Sequence, residues 1–329
     1  MHAEILSDIP DIADVQLARA RIGAWTRTTP VLNDPGLDEK LLCTLFCKCE
    51  NFQRTGSFKF RGASNAISRL REENIEGDVA THSSGNHGAA LALAAKLDQR
   101  KAHVVMPHDS VPMKVESVRR YGGIVHFCAS THESREKELE KLIAEGKIPV
   151  HPYDHADIIA GQGTAALELF QQEPTLEVVI APLGGGGLIS GTSIAARLQG
   201  VGVFAVEPEG AADTVASLQQ GMRVESWQPD TIADGLRALV GVRNFAVIKT
   251  SVKQVFTVSD REIRQAMLLF WQEMRMTIEP SSATVIAAIG KHPEVFRGKR
   301  VGALISGGNI DPAGWVTLTE QLGKSQNQL

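Results

Sequence analysis

Two short stretches of this 329-residue chain carry chemistry that ordinary packing does not require. In ENFQRTGSFKFRGASNAI, Lys59 stands between Phe58 and Phe60, after a Gly-Ser turn signal and ahead of a run of helix formers. An amine held among apolar groups loses solvation, so its pKa falls and its neutral form gains population. Neutral lysine is a nucleophile that condenses with carbonyls to give a Schiff base. In PLGGGGLISG, Gly184, Gly185, Gly186 and Gly187 leave backbone N–H groups unshielded just ahead of a predicted helix. Free donors and the positive end of a helix dipole together form an anion cradle.

Each stretch also has a plainer reading. Lys59 suits a snorkelling side chain at a helix start, and the glycines suit a tight strand-to-helix turn. One glycine serves such a turn, however, and four cost considerable backbone entropy. The run matches neither GxGxxG nor the Lys-Ser/Thr ending of a P-loop. A small phosphate therefore fits better than a pyrophosphate. A phosphate cradle together with a desolvated lysine suggests pyridoxal phosphate. Two further turns are rich in polar groups: HSSGNHG, from His82 to Gly88, and SGGN, from Ser306 to Asn309. Ser84 and Asn86 also read as helix caps, and SGGN as a strand end.

These turns need a scaffold that aims them at one point. Apolar strand candidates (LFCKCE, DVATHSS, KAHVVMP, GIVHFCA, EVVIAPLG, VGVFAVEP, KQVFTVS, RVGALISGG) alternate with amphipathic patterns such as FRGASNAISRLREE, GTAALELFQQ and SDREIRQAMLLFWQEM. Such alternation predicts parallel sheets covered by helices on both faces. With no flexible linker in view, a second domain is expected as an insertion. SSGNHG, GGGG and SGGN each follow a predicted strand, and ligands bind beyond the carboxyl ends of strands in open α/β sheets. The three turns and the Lys59 turn are predicted to converge on one pocket.

Composition narrows the classes. A net charge of −4 and 43% hydrophobic residues argue against nucleic-acid or anionic-membrane partners. No apolar run reaches the roughly 18 residues of a membrane span, and the acidic N-terminus lacks a signal pattern, so a cytoplasmic location is expected. Cys43, Cys47 and Cys49 share one parity and are expected as buried thiols on one strand face.

Taken in order and spacing, SFKFRGA, SSGNHG, GGGGLISG and SGGN resemble the fold-type II pyridoxal-phosphate enzymes, specifically the serine racemases and short threonine (serine) dehydratases. The resemblance covers nearly the whole chain, including YDHADIIAGQGT, TIADGL and IEPSSA. It implies an α/β fold of two three-layer, open, twisted, mostly parallel sheets. Residues 1–52 and 154–329 then form the large cofactor-binding domain, and residues 53–153 hold the inserted small one, with its core at roughly 78–150.

Carried onto matching positions, the resemblance makes Lys59 the residue bonded to pyridoxal 5'-phosphate, with Phe58 beside the ring. Gly184, Gly185, Gly186 and Gly187 cradle the phosphate, Asn86 meets the 3-oxygen, and Ser306 faces the pyridine nitrogen. Ser57, Ser83, Ser84, Asn86 and His87 surround the substrate. Ser84 matches the hydroxyl that serine racemases place opposite the lysine, where many dehydratases carry a small apolar residue. Arg135 matches an arginine of serine racemases and is expected to attract a second carboxylate; it also reads as a solvated helix charge. Tyr153 and His155 depart from the mammalian-type pattern and are candidates for the same pocket. Glu207, Asp213 and the Ala211 carbonyl are the implied oxygen ligands of Mg²⁺ (or Ca²⁺/Mn²⁺); by spacing alone they read as a solvated loop.

The implied activity is dehydration of serine or threonine to a 2-oxo acid and ammonia, with serine racemisation. The alternative is a 3-hydroxyaspartate dehydratase or aspartate-type racemase. A neutral Ser306 at the ring nitrogen, in place of a carboxylate, is expected to favour elimination or rapid reprotonation over transamination. β-Replacement enzymes usually carry a different substrate loop, and a non-catalytic sensor would be expected to lose Lys59 or the glycines. The short polar tail after GWVTLTEQLG suggests no appended regulatory domain, and the family implies a homodimer.

Overall fold

The computed structural model describes residues 8–83 and 85–326. Among them are strands β1 (Val31–Leu32), β2 (Thr44–Cys49), β3 (Val79–His82), β4 (Ala102–Pro107), β5 (Ile124–Cys128), β6 (Ile148–Pro149), β7 (Val178–Pro182), β8 (Gly202–Pro208), β9 (Gln254–Val258) and β10 (Arg300–Ile305). They form two sheets. The larger runs β1-β2-β10-β7-β8-β9 and the smaller β5-β4-β3-β6. Every pairing is parallel except β1 with β2. The predicted α/β class with two mostly parallel sheets is what forms.

Helices cover both faces of the large sheet. One face packs a core of Leu45, Ile180, Phe204, Phe256, Phe270 and Phe296, and it includes Cys43, Cys47 and Cys49 as the strand parity predicts. The four cysteines at 43, 47, 49 and 128 are free and buried. The other face buries Val179, Ala181, Leu188 and Ile189 against the helix Ala156–Gln172. On the small sheet, the helices Lys59–Glu72 and Asn86–Leu97 share a core with Val79, Val104 and Met106.

Strand order explains the convergence. β10 lies between β2 and β7. The carboxyl ends of these three adjacent strands therefore deliver the Lys59 turn, SGGN and the glycine run side by side. An isolated bridge between Ser57 and Gly307, and a bond from Phe58 N to Ser306 O (3.0 Å), join two of the turns directly.

Glycines set the helix spacing behind the site. A Cβ on Gly161 would lie 2.6 Å from Gly62 Cα, and one on Gly163 would lie 2.8 Å from Gly191 O. The helix Ala156–Gln172 can thus touch both the Lys59 helix and the helix Gly187–Ala196 that follows the glycine run. The apolar pattern suggests that this middle helix begins at Gly163. It begins two turns earlier, because His155 accepts a cap bond from Asp157 N.

A buried charge cluster holds the base of the Lys59 helix. Arg61 has no exposed side-chain surface and forks onto two carboxylates: Glu50 at 2.7 and 2.9 Å, and Glu168 at 2.8 and 2.8 Å. Lys48 Nζ bonds Glu168, the Thr29 carbonyl and Gln172 at 2.7–2.8 Å. Two cations thus balance two anions, with bidentate geometry of the kind that repays desolvation. The cluster ties the end of β2 to two helices.

Candidate active site

Lys59 opens its helix, and its amine is partly buried. Nζ donates to the Pro152 carbonyl at 3.0 Å and lies 5.2 Å from the Phe58 ring centroid and 6.0 Å from that of Tyr153. Burial pulls its pKa down to about 8, against a smaller opposing pull from the Glu279 carboxylate. The amine is desolvated, as the flanking aromatics suggest, with Tyr153 in place of Phe60 as the second ring. Phe60 points into the core instead.

The glycine run follows β7 without a break. Among the described residues, none of the N–H groups of Gly184, Gly185, Gly186 and Gly187 has a protein acceptor, whereas the Gly185 carbonyl accepts from Gly241 N (3.1 Å) and Asn244 Nδ2 (2.7 Å). The loop is thus held by its oxygens and leaves its donors free. Gly186 has φ +93°, a left-handed conformation that favours glycine. A Cβ on Gly184 would lie 2.8 Å from Leu236 Cα, and one on Gly185 would collide with the Tyr153 ring. Free donors at the start of Gly187–Ala196, facing a desolvated amine on a neighbouring turn, fit a phosphate-bearing aldehyde.

Ser306 is buried, and its hydroxyl lies 2.9 Å from Ser282 Oγ. Among the described residues, the buried Ser57 Oγ has no hydrogen-bond partner. Asn86, the first residue of its helix, donates to both oxygens of Glu279 (2.9 and 3.1 Å) and accepts from Asn309 Nδ2 (2.8 Å). Ser83 Oγ accepts from Gly85 N at 3.4 Å. His87 is buried, and that burial, reinforced by the Lys59 charge, holds its pKa well below the usual imidazole range. Ser84 lies outside the described residues.

The remaining candidates spread further out. Arg135 sits on the helix His132–Ala144, its Nε 3.5 Å from Thr131 O. The His155 ring is committed to capping and is 41% exposed. Glu207, at the end of β8, is fully buried, accepting from Thr214 N (3.1 Å) and Val215 N (3.0 Å). Burial first, and then the neighbouring Asp213 charge, push its pKa up to about 8. Asp213 rises to about 6, chiefly through burial. Two adjacent buried carboxylates fit a hard cation, although no set of three or more His, Cys, Asp and Glu side chains among the described residues is arranged to hold a metal.

Residues 24–307 match the family described as pyridoxal-phosphate dependent enzyme. The chain belongs to that family. It is 45% identical over 309 residues to the serine racemase of Dictyostelium discoideum, spanning 91% of this chain and 95% of that protein. It is 44% identical over 306 residues to the β-hydroxyaspartate dehydratase of Paracoccus denitrificans, spanning 92% and 97%. The structure of maize serine racemase superposes with a TM-score of 0.90 at 38% identity, covering 97% of this chain and 98% of that one. The resemblance carried by the four turns is borne out.

The fold also brings to the site residues that the motifs do not single out, Glu279, Asn244 and His151 among them. Glu279 is buried, and it is placed by the bond from its own N–H to Gly307 O (3.2 Å). Its position just before Pro280 in IEPSSA was a visible signal: a carboxylate at a proline-started helix. Asn244 and His151 carry no local signal. His151 Nδ1 accepts from Asp154 N at 2.8 Å, and burial lowers its pKa to about 3.

Proposed function

We propose that this enzyme dehydrates a β-hydroxy amino acid such as serine or threonine to a 2-oxo acid and ammonia, and that it also racemises serine. The observation that carries this reading is the Lys59 amine, with pKa about 8, on a turn beside a glycine loop whose four N–H groups are free. The serine racemases among its relatives support the choice of substrate.

Bound pyridoxal 5'-phosphate supplies an aldehyde for Lys59 and a conjugated ring that disperses negative charge from the substrate α-carbon. In this reading Gly184, Gly185, Gly186 and Gly187 hold the phosphate by their N–H groups, Phe58 packs beside the ring, and Asn86 meets the 3-oxygen. With the cofactor bound, Lys59 would be the base at the substrate α-carbon, since its pKa near 8 suits proton transfer at neutral pH. Ser84 is the acid for the opposite face. Ser57, Ser83, Asn86 and His87 bind the carboxylate. Ser306, a neutral hydroxyl held by Ser282, faces the ring nitrogen. Glu207, Asp213 and the Ala211 carbonyl hold Mg²⁺ (or Ca²⁺/Mn²⁺).

A second reading, 3-hydroxyaspartate as substrate, takes Arg135 as the group that would attract a second carboxylate. It is favoured by the 44% identical β-hydroxyaspartate dehydratase. His155 belongs to this reading only as a neighbour of the pocket. We further read the protein as a cytoplasmic homodimer with its small domain inserted at residues 53–153; no helix of the described residues is long and apolar enough to cross a membrane.

The test is incubation of the purified protein with both enantiomers of serine, threonine and 3-hydroxyaspartate, measuring oxo acid and enantiomeric composition together. Protein that shows no imine absorbance with added cofactor, and turns over none of these, overturns the proposal. Ser84→Ala is expected to abolish racemisation while some dehydration of the L-substrate remains.

A further inference from the structure

A cavity of about 330 Å³ separates the small sheet from the large one, lined by Thr55, Gly56, Asn86, Lys114, Gly308 and Asn309. Lys114 belongs to the helix Pro112–Arg120, which follows β4 of the small sheet. Its amine forms an ion pair with Asp234, which lies in the turn Asp234–Leu236 on the large-sheet side. The Lys114 side chain is only 18% exposed.

The two ends of this pair differ in how firmly they are held. The turn carrying Asp234 is bolted in place. Gly235 N donates to Ser281 Oγ (3.1 Å), and Ile232 N and Thr231 Oγ1 donate to Asp260 (3.0 and 2.6 Å). Arg237 Nε and Nη2 both donate to Thr231 O, at 3.1 and 2.6 Å. Leu236 backs Gly184 of the glycine loop. Lys114, in contrast, rides on a helix with two buried residues, Val115 and Val118, packed on the small sheet. Burial lowers the Lys114 pKa, opposed by the Glu279 carboxylate that Asn86 clasps and reinforced by the charge of Arg237. Lys59, Glu279, Lys114 and Asp234 thus alternate in sign from one body to the other. An exposed ion pair contributes about 0–1 kcal/mol; here Lys114 is largely enclosed while the Asp234 side chain is 36% exposed, and because the pair spans two bodies even a modest energy acts on their relative position.

We infer that the Lys114–Asp234 ion pair is the latch that holds the small-sheet body closed over the candidate active site, which makes Lys114 a positioning residue for the reaction. This rests on the function proposed above. Opening the pair frees the helix Asn86–Leu97 to draw Asn86 away from Glu279, on the wall of the site facing Lys59. Closing it brings both back against a turn that also supports the glycine loop.

Charge reversal tests the latch with the cofactor-loaded protein. Lys114→Glu and Asp234→Lys, made singly, place like charges together and are each expected to lower kcat/KM about tenfold or more. The double exchange is expected to give kcat/KM at least about threefold above either single variant, but short of wild type, because a glutamate at position 114 meets the Glu279 carboxylate. Lys114→Arg should keep most of the activity. Small-angle scattering without substrate should give a larger radius of gyration for each single variant, and the wild-type value for the double exchange. A double exchange no better than the single variants, or single variants indistinguishable from wild type in both scattering and kinetics, overturns the latch. The scattering comparison does not depend on turnover. A wild-type protein inactive on every amino acid would sink the proposed function while the latch was still decided.

Discussion

Asn86 and Glu279 face each other across the cleft, with the Asn86 amide 2.9 and 3.1 Å from the two carboxylate oxygens. Asn86 starts a helix packed on the small sheet. Glu279 immediately precedes the helix Pro280–Lys291, which packs on the large sheet, and makes no side-chain cap bond. The pair therefore joins both bodies at the point where Lys59 feels the Glu279 charge.

That relationship has a measurable consequence for Lys59. The Glu279 carboxylate raises the Lys59 pKa against the larger lowering by burial. Removing the charge in Glu279→Gln should therefore let Lys59 fall further below about 8. In cofactor-free protein, the pH profile for reaction of Lys59 with an amine-specific label should move to lower pH. A profile that stays put or moves upward would contradict the assigned coupling.

Burial of Lys59 also acts on stability. Its folded-state pKa is about 8, against an ordinary 10.5. The unfolded chain therefore binds the proton more tightly between these values, and stability rises with pH across that window. Below about pH 8 the penalty is fully present. Lys59→Met in cofactor-free protein should be more stable than wild type by on the order of 1–3 kcal/mol at pH 7. The advantage should disappear by about pH 10.5, as denaturant titrations at the two pH values would show.

Arg61 is expected to be the most costly single truncation near the site. Arg61→Met leaves Glu50 and Glu168 buried with only Lys48 to balance them. Breaking a buried pair of this kind costs about 3–5 kcal/mol. Chemical denaturation should show that loss. A change below about 1 kcal/mol would mean that the cluster is solvated or repaired by rearrangement.

Helix spacing makes a separate claim. Gly161→Val places methyls where Gly62 Cα already stands 2.6 Å from a single Cβ. Overpacking should cost about 2–3 kcal/mol. It should also displace the Lys59 helix, so weaker cofactor binding by absorbance titration is expected alongside the lower Tm. A variant with unchanged Tm and cofactor affinity would show that the crossing is loose.

Cation binding should be visible without any assay of turnover. Chelator-treated protein is expected to gain Tm on addition of Mg²⁺, as ligand binding to the native state requires. Glu207→Gln should abolish the gain. Equal responses in wild type and variant would remove Glu207 from the cation site.

Long apolar runs such as EVVIAPLG and VGVFAVEP announced their strands, because a buried parallel strand must be apolar on both faces. β1 and β6, two residues each, carry no such pattern and are set by neighbouring backbone. The helix Ile12–Ile22 carries no clear apolar pattern either, because polar residues interrupt its buried stripe of Val15, Ala18 and Ile22. Lys59 and the four glycines could be read directly because their chemistry is local: flanking aromatics desolvate an amine, and a missing Cβ bares an N–H. What Glu279, Tyr153, Lys114 and Asp234 do could not be read that way. Each meets its partner only because β10 inserts between β2 and β7 and a second sheet closes over their ends. Contacts made across roughly a hundred residues or more of chain depend on strand order, and strand order leaves no mark on any short stretch of sequence.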